Sequence, residues 1–170
     1  LNPVPAQRAR LLLTQGDVAG AARWIRERGL RASHDVSYHR EREYLVLVRV
    51  LLAHDQPDDA AGLLSRLHAA AARQGRAGSL IEIEALQALA LASGGEESAA
   101  LAALADALTL GCPQGYVRVF TDEGLPMATL LGRLVAAQKA GQSPARGIPL
   151  GYLGRVVRSF KQDPAGTGRS

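Results

Sequence analysis

With one cysteine, Cys112, the 170-residue chain can form no internal disulfide and cannot assemble a thiolate cluster for zinc or an iron–sulfur centre. A reducing compartment suits such a chain, and a cytoplasmic location is expected. Aromatic residues are scarce at 4%, while Ala and Leu dominate the 47% that is apolar. A sheet core would draw on β-branched and aromatic side chains, so this composition points to closely approaching helices. Long hydrophobic runs are missing too. The longest, residues 44–53, is interrupted by Arg49 and falls well short of the roughly 20 residues that span a bilayer, so no membrane helix is expected. The opening Leu1-Asn2-Pro3 has neither an initiator methionine nor the layout of a signal peptide, as expected of a piece of something longer.

Catalytic groupings are also lacking. His34, His39, His54 and His68 form no H-E-x-x-H or other ligand spacing, Ser65 and Ser98 have no G-x-S-x-G setting, and Cys112 beside Pro113 has no activating neighbour. No phosphate loop of the form G-x-x-x-x-G-K-[ST] occurs. No metal, cofactor or enzymatic activity is therefore expected. The acid pairs Asp58-Asp59 and Glu96-Glu97 fall in first turns of expected helices, where the helix dipole accounts for them.

Charge is unevenly placed. Residues 1–132 carry 13 Lys and Arg against 15 Asp and Glu, whereas residues 133–170 carry seven basic residues against Asp163 alone. This basic part contains Gly and Pro and no recognition helix, so sequence-specific binding of duplex DNA by this chain is not expected.

Compared with itself, the chain repeats. Residues 11–16 (LLLTQG) align with 50–55 (VLLAHD) and 89–94 (LALASG), and each is followed by a polar turn and a small pair, Ala21-Ala22, Ala60-Ala61 and Ala99-Ala100. Both intervals are 39 residues. A fixed period of this size marks stacked supersecondary units. In the second unit Tyr44, Leu47, Val48, Leu51 and Leu52 follow one helical face, Asp55-Gln56-Pro57 breaks the helix, and Leu63, Leu64 and Leu67 continue on its partner. Ser79 and Glu82 have the spacing of a capping box, which predicts a helix start at Ser79. The spacing predicts helices near 5–15, 17–28, 40–54, 57–75, 79–93, 96–110 and 124–139, a loop over 141–149 and a short helix over 150–161. Spans 1–28, 40–75 and 79–110 form three antiparallel hairpins joined through a polar connection over 29–39. The expected fold is all-α: TPR-like helical hairpin repeats stacked in a right-handed superhelix, with 1–139 as the repeat domain and 140–170 as loop, short helix and basic linker.

One side-chain pattern bears on binding. Arg10 and Arg49 lie one period apart, so first helices lining an inner surface would place them in one ladder, with Ala88 as the third member. Two guanidinium groups so placed could grip a carboxylate or phosphate. Ordinary ion pairing with nearby acids is the plainer alternative. Trp24 is expected in the core, and Phe120 and Tyr116 against the last hairpin, with Arg118 paired to Asp122.

After the third hairpin the period breaks. The turn LGCPQG and the stretch GYVRVFTDEGLPMATLL, with the preceding AAGLLSRLHAAAARQGRAGSLIEIEALQALAL, are similar to the helical-repeat region of large LuxR-family regulators of the MalT-like type, over roughly residues 8–138. The resemblance implies a bacterial sensor segment that binds a small-molecule effector or a partner protein and controls attached domains. In that family an NTP-binding STAND-type module lies upstream and a LuxR-type helix-turn-helix downstream; neither pattern is in this chain. DNA would then be reached only through a domain outside it, and a homo-oligomer is compatible with this reading. The alternative is a free-standing TPR-like scaffold for protein–protein interaction.

Overall fold

Asp17 shows how a unit of this chain is built. Its carboxylate accepts a hydrogen bond from the Gly20 amide at 2.9 Å and so caps the second helix, while Gly16 just before it takes the left-handed conformation (φ 82°) that reverses the chain. The computed structural model describes residues 4–142 and 147–162. They form α1 (Val4–Thr14), α2 (Val18–Glu27), α3 (Glu41–Ala53), α4 (Pro57–Arg73), α5 (Ala77–Ser93), α6 (Glu97–Gly111), the short α7 (Arg118–Thr121), α8 (Leu125–Lys139) and α9 (Leu150–Gln162), with no strand among the described residues. The expected all-α, TPR-like fold is the one observed. The loop expected over 141–149 is non-helical where it is described, and 143–146 lie outside the described residues.

Helices α1 with α2, α3 with α4 and α5 with α6 form hairpins, and the first helices also touch one another, α1 to α3 to α5. The polar connection after α2 is pinned from a distance: Arg66 of α4 donates to the carbonyls of His34 (2.8 Å) and Ala32. Two hydrophobic cores result. Ile25, Leu47, Val48, Leu63 and Leu64 centre the first, and Leu104, Leu108, Phe120, Leu130 and Leu134 the second. α5 belongs to both, sending Ile83, Leu86 and Ala90 into the first core and Ile81, Ala85 and Ala88 into the second. That is why its sequence, AGSLIEIEALQALALAS, is apolar on nearly every side.

Three expectations are corrected. The repeat is 39 residues from the first unit to the second but 40 from the second to the third. The left-handed turn residues are Gly16, Asp55 and Gly95, the residues before each second helix are Asp17, Gln56 and Glu96, and the fully buried alanines are Ala21, Ala60 and Ala100. Gly95 rather than Gly94 makes the turn, so the third member of the arginine ladder is Leu89, not the core residue Ala88. The capping box does not form either. α5 starts two residues earlier, at Ala77, where Ser79 Oγ accepts from the Arg76 guanidinium at 3.0 Å and Glu82 turns away to arginines of other helices. Finally, Trp24 is half-buried under Arg28, packed against the first core rather than inside it, whereas Phe120 is fully buried and Tyr116 lies against the last hairpin beside Gly78 and Gly111, both as expected.

The C-terminal helix is part of the packed body. Ile148, Tyr152, Leu153 and Val156 enter the second core. Tyr152 Oη donates to the Tyr116 carbonyl at 2.5 Å and passes so close to Gly111 that a Cβ there would stand 2.8 Å from the phenol oxygen. Burial raises the Tyr152 pKa to about 12, with the Cys112 sulfur adding to the rise and Arg155 opposing it.

Candidate functional site

The period that separates Arg10 from Arg49 also brings them together. Both stand on the face formed by the first helices of the hairpins, Arg10 on α1 and Arg49 on α3, and both line a groove of about 610 Å³. Leu13 and Thr14 of α1, Leu52 and Ala53 of α3, Leu89 and Ser93 of α5, and the turn between α7 and α8 complete its walls. This is a ligand-sized concavity with an apolar lining and a few convergent polar groups.

The polar groups are tied to one another. Arg49 Nη2 donates to Glu123 Oε1 at 2.6 Å and to Glu82 Oε1 at 2.7 Å, and its Nε donates to Glu123 at 3.1 Å. Burial opposes the charge on Arg49, but the two carboxylates more than offset it and hold the guanidinium pKa above its usual value. Arg10 stands further out, 33% exposed, at 3.5 Å from Glu82, 3.7 Å from Glu123 and 3.9 Å from Asp122. Asp122 is also 3.9 Å from Arg118, the expected i,i+4 pair. Arg49 is thus a structural cross-link whose donors are committed, whereas Arg10 lines the groove with no carboxylate oxygen closer than 3.5 Å.

The same ion-pair bar divides the face formed by the first helices. On its far side a second, more polar cavity of about 370 Å³ is lined by Gln7, Glu41, Arg42, Ser79 and Glu82, with Arg10 and Arg49 as the shared wall. Glu41, buried in that wall, is held by Arg76 through one oxygen.

Sequence reasoning located the two arginines but not their partners. Glu82 and Glu123 come from other units, and Glu123 lies 74 residues from Arg49 on a turn that no periodicity announces. Elsewhere His68 pairs with Glu84 at 3.1 Å, and no group of three or more His, Cys, Asp or Glu able to hold a metal occurs among the described residues. No helix among them is long and apolar enough to cross a membrane.

The family model for the MalT-like TPR region matches residues 1–137. No curated protein and no solved structure matches the chain.

Proposed function

The chain belongs to the MalT-like TPR region family, and from that premise we propose that it is the sensing segment of a bacterial LuxR-type transcription regulator, binding an effector or a partner protein in the groove between α1, α3, α5 and the α7–α8 turn. Attached NTP-binding and DNA-binding domains respond to that event; this chain itself does no chemistry.

One observation carries the reading. The ion pair from Arg49 to Glu123 ties the groove to the α7–α8 turn, and α7 in turn touches α9, the last helix. A ligand that engages Arg10 or competes for Glu123 alters the hold on that turn, and α9 feels the change through α7 and through the Tyr152 hydrogen bond to Tyr116. Binding therefore has a route of physical contacts to the C-terminal side. A two-state shift would be biased by whichever arrangement of the turn the ligand favours.

Ser93 lines the groove but is exposed and outside both cores. In the full-length regulator, Ser93→Trp should fill the groove and abolish effector-dependent transcription with the melting temperature unchanged, and Arg10→Ala should weaken the response. A normal response from a folded Ser93→Trp protein would sink the groove assignment. An unchanged response for Arg10→Ala alone would remove only the arginine.

A further inference from the structure

A third concavity lies towards the other end of the chain, between α8 and α9. It encloses about 460 Å³ and has an apolar floor of Val135, Leu153 and Val157, with Leu150 at its edge 73% exposed. Lys139 and Arg158 line it as well, and both are exposed. Neither has an acidic partner among the described residues. The guanidinium of Arg158 folds back over Gly154, where a Cβ would stand 3.3 Å from Nη1. From Arg133 to Gln162 the sequence holds no Asp or Glu at all. In the groove wall Gln138 has a side-chain carbonyl shielded from solvent without a hydrogen-bond partner. An apolar channel, cations with no acidic partner among the described residues and an unpaired side-chain carbonyl all sit on one surface.

We propose that the α8–α9 groove is a docking surface for an acidic amphipathic helix of a partner protein, which lays Leu-type side chains along Val135, Leu153 and Val157 and sets Asp or Glu against Lys139 and Arg158. The shape suits a helix. The α9 wall runs from Leu150 to Arg158, about 12 Å at 1.5 Å per residue, so it meets two to three turns of a partner and two or three anchors spaced i, i+3 or i+4. Charge selects the partner. The uncompensated cations speed encounter with an acidic segment and penalise a basic one. This surface is separate from the α1–α3–α5 groove and does not depend on its assignment.

The test uses the whole chain and a labelled synthetic peptide of about 14 residues, four helical turns, with leucines at i, i+4 and i+7 and glutamates beside them. A second peptide carries lysine in place of each glutamate. Fluorescence anisotropy should show saturable binding of the acidic peptide, and amide chemical-shift changes should cluster on α8 and α9. Arg158→Glu with Lys139→Glu should weaken binding at least tenfold, and Leu150→Asp should do likewise, both with unchanged circular dichroism and melting. These three residues are exposed, so the variants fold. Equal binding of the two peptides, or none, would overturn the proposal. So would preferential binding of vesicles containing phosphatidylserine or of duplex DNA to the same face. Sedimentation that shows a dimer dispersed by Leu150→Asp would assign the groove to a second copy instead and equally defeat it.

Discussion

Two grooves of this chain use cationic side chains in opposite ways. In the groove of the first helices, arginine is enclosed: Arg49 is held by two carboxylates from different units, and Arg10 stands within 4 Å of three. Along α8 and α9, Lys139 and Arg158 face an apolar channel with no acid nearby among the described residues. A cation that is buried and paired is part of the fold, because removing it strands its partners. An unpaired cation at an exposed rim contributes little to folding and is free to meet something else.

The largest effect should come from breaking the first groove. Arg49→Ala leaves Glu82 and Glu123 without their main partner, and Glu123 is 7% exposed in its side chain, so a loss of about 3 kcal/mol or more is expected in urea unfolding. Arg49→Met with Glu123→Leu and Glu82→Gln should recover much of it, since the stranded charges are gone. A single Arg49→Ala variant as stable as the parent would erase the contrast between the grooves.

Next comes the lock that holds α9. Gly111→Ala pushes a methyl group into Tyr152 Oη and should cost about 1–3 kcal/mol, with increased hydrogen exchange in α9. Tyr152→Phe removes one hydrogen bond, a smaller loss of about 1 kcal/mol. It should also change the alkaline limb. The folded-state pKa of Tyr152, about 12, lies above the ordinary value near 10, so its contribution is complete below pH 10 and is lost as pH rises through 12; the phenylalanine variant should lack that loss.

At the acid end Glu43 is the reporter. Burial raises its pKa, but the guanidinium groups of Arg40 and Arg28 outweigh that and hold it below the usual carboxylate range. Its contribution is thus present above the ordinary glutamate pKa and disappears as pH falls through the depressed one. Glu43→Gln should flatten that part of the stability profile. Smallest of all, Lys139→Ala and Arg158→Ala should each change stability by less than about 0.5 kcal/mol. A large loss there would mean that these cations serve the fold and would narrow the difference between the grooves.

Much of this architecture was legible. The helix spans were readable because Leu and Ala recur at helical spacing and the turns carry Gly, Asp and Pro. The frame of the third unit was not. Gly94-Gly95 and Ala99-Ala100 are doublets, so a shift of one residue leaves the letters matching, and only the backbone torsion of Gly95 decides. Arg76 took over the start of α5 because its guanidinium reaches Glu41 and Ser79, a contact across 35 residues that local capping rules do not contain. α7 has four residues, too few to display a period. For the site, a repeat interval predicted that Arg10 and Arg49 are neighbours, whereas their acidic partners follow from how units stack. The α8–α9 groove was invisible for a related reason: an amphipathic pattern says which face is apolar, not how much of it a neighbour covers.

The helix shared by the two cores sets the mechanical character of the whole. With Ile83 and Leu86 on one side and Ile81 and Ala85 on the other, α5 cannot roll or slide without opening a gap in one core as it crowds the other. It acts as a keystone, so the two halves should melt together as one cooperative unit. A signal that crosses the chain must then run along the ion pairs that join Arg49, Glu82 and the α7–α8 turn at the surface of α5, rather than through a movement of α5 itself.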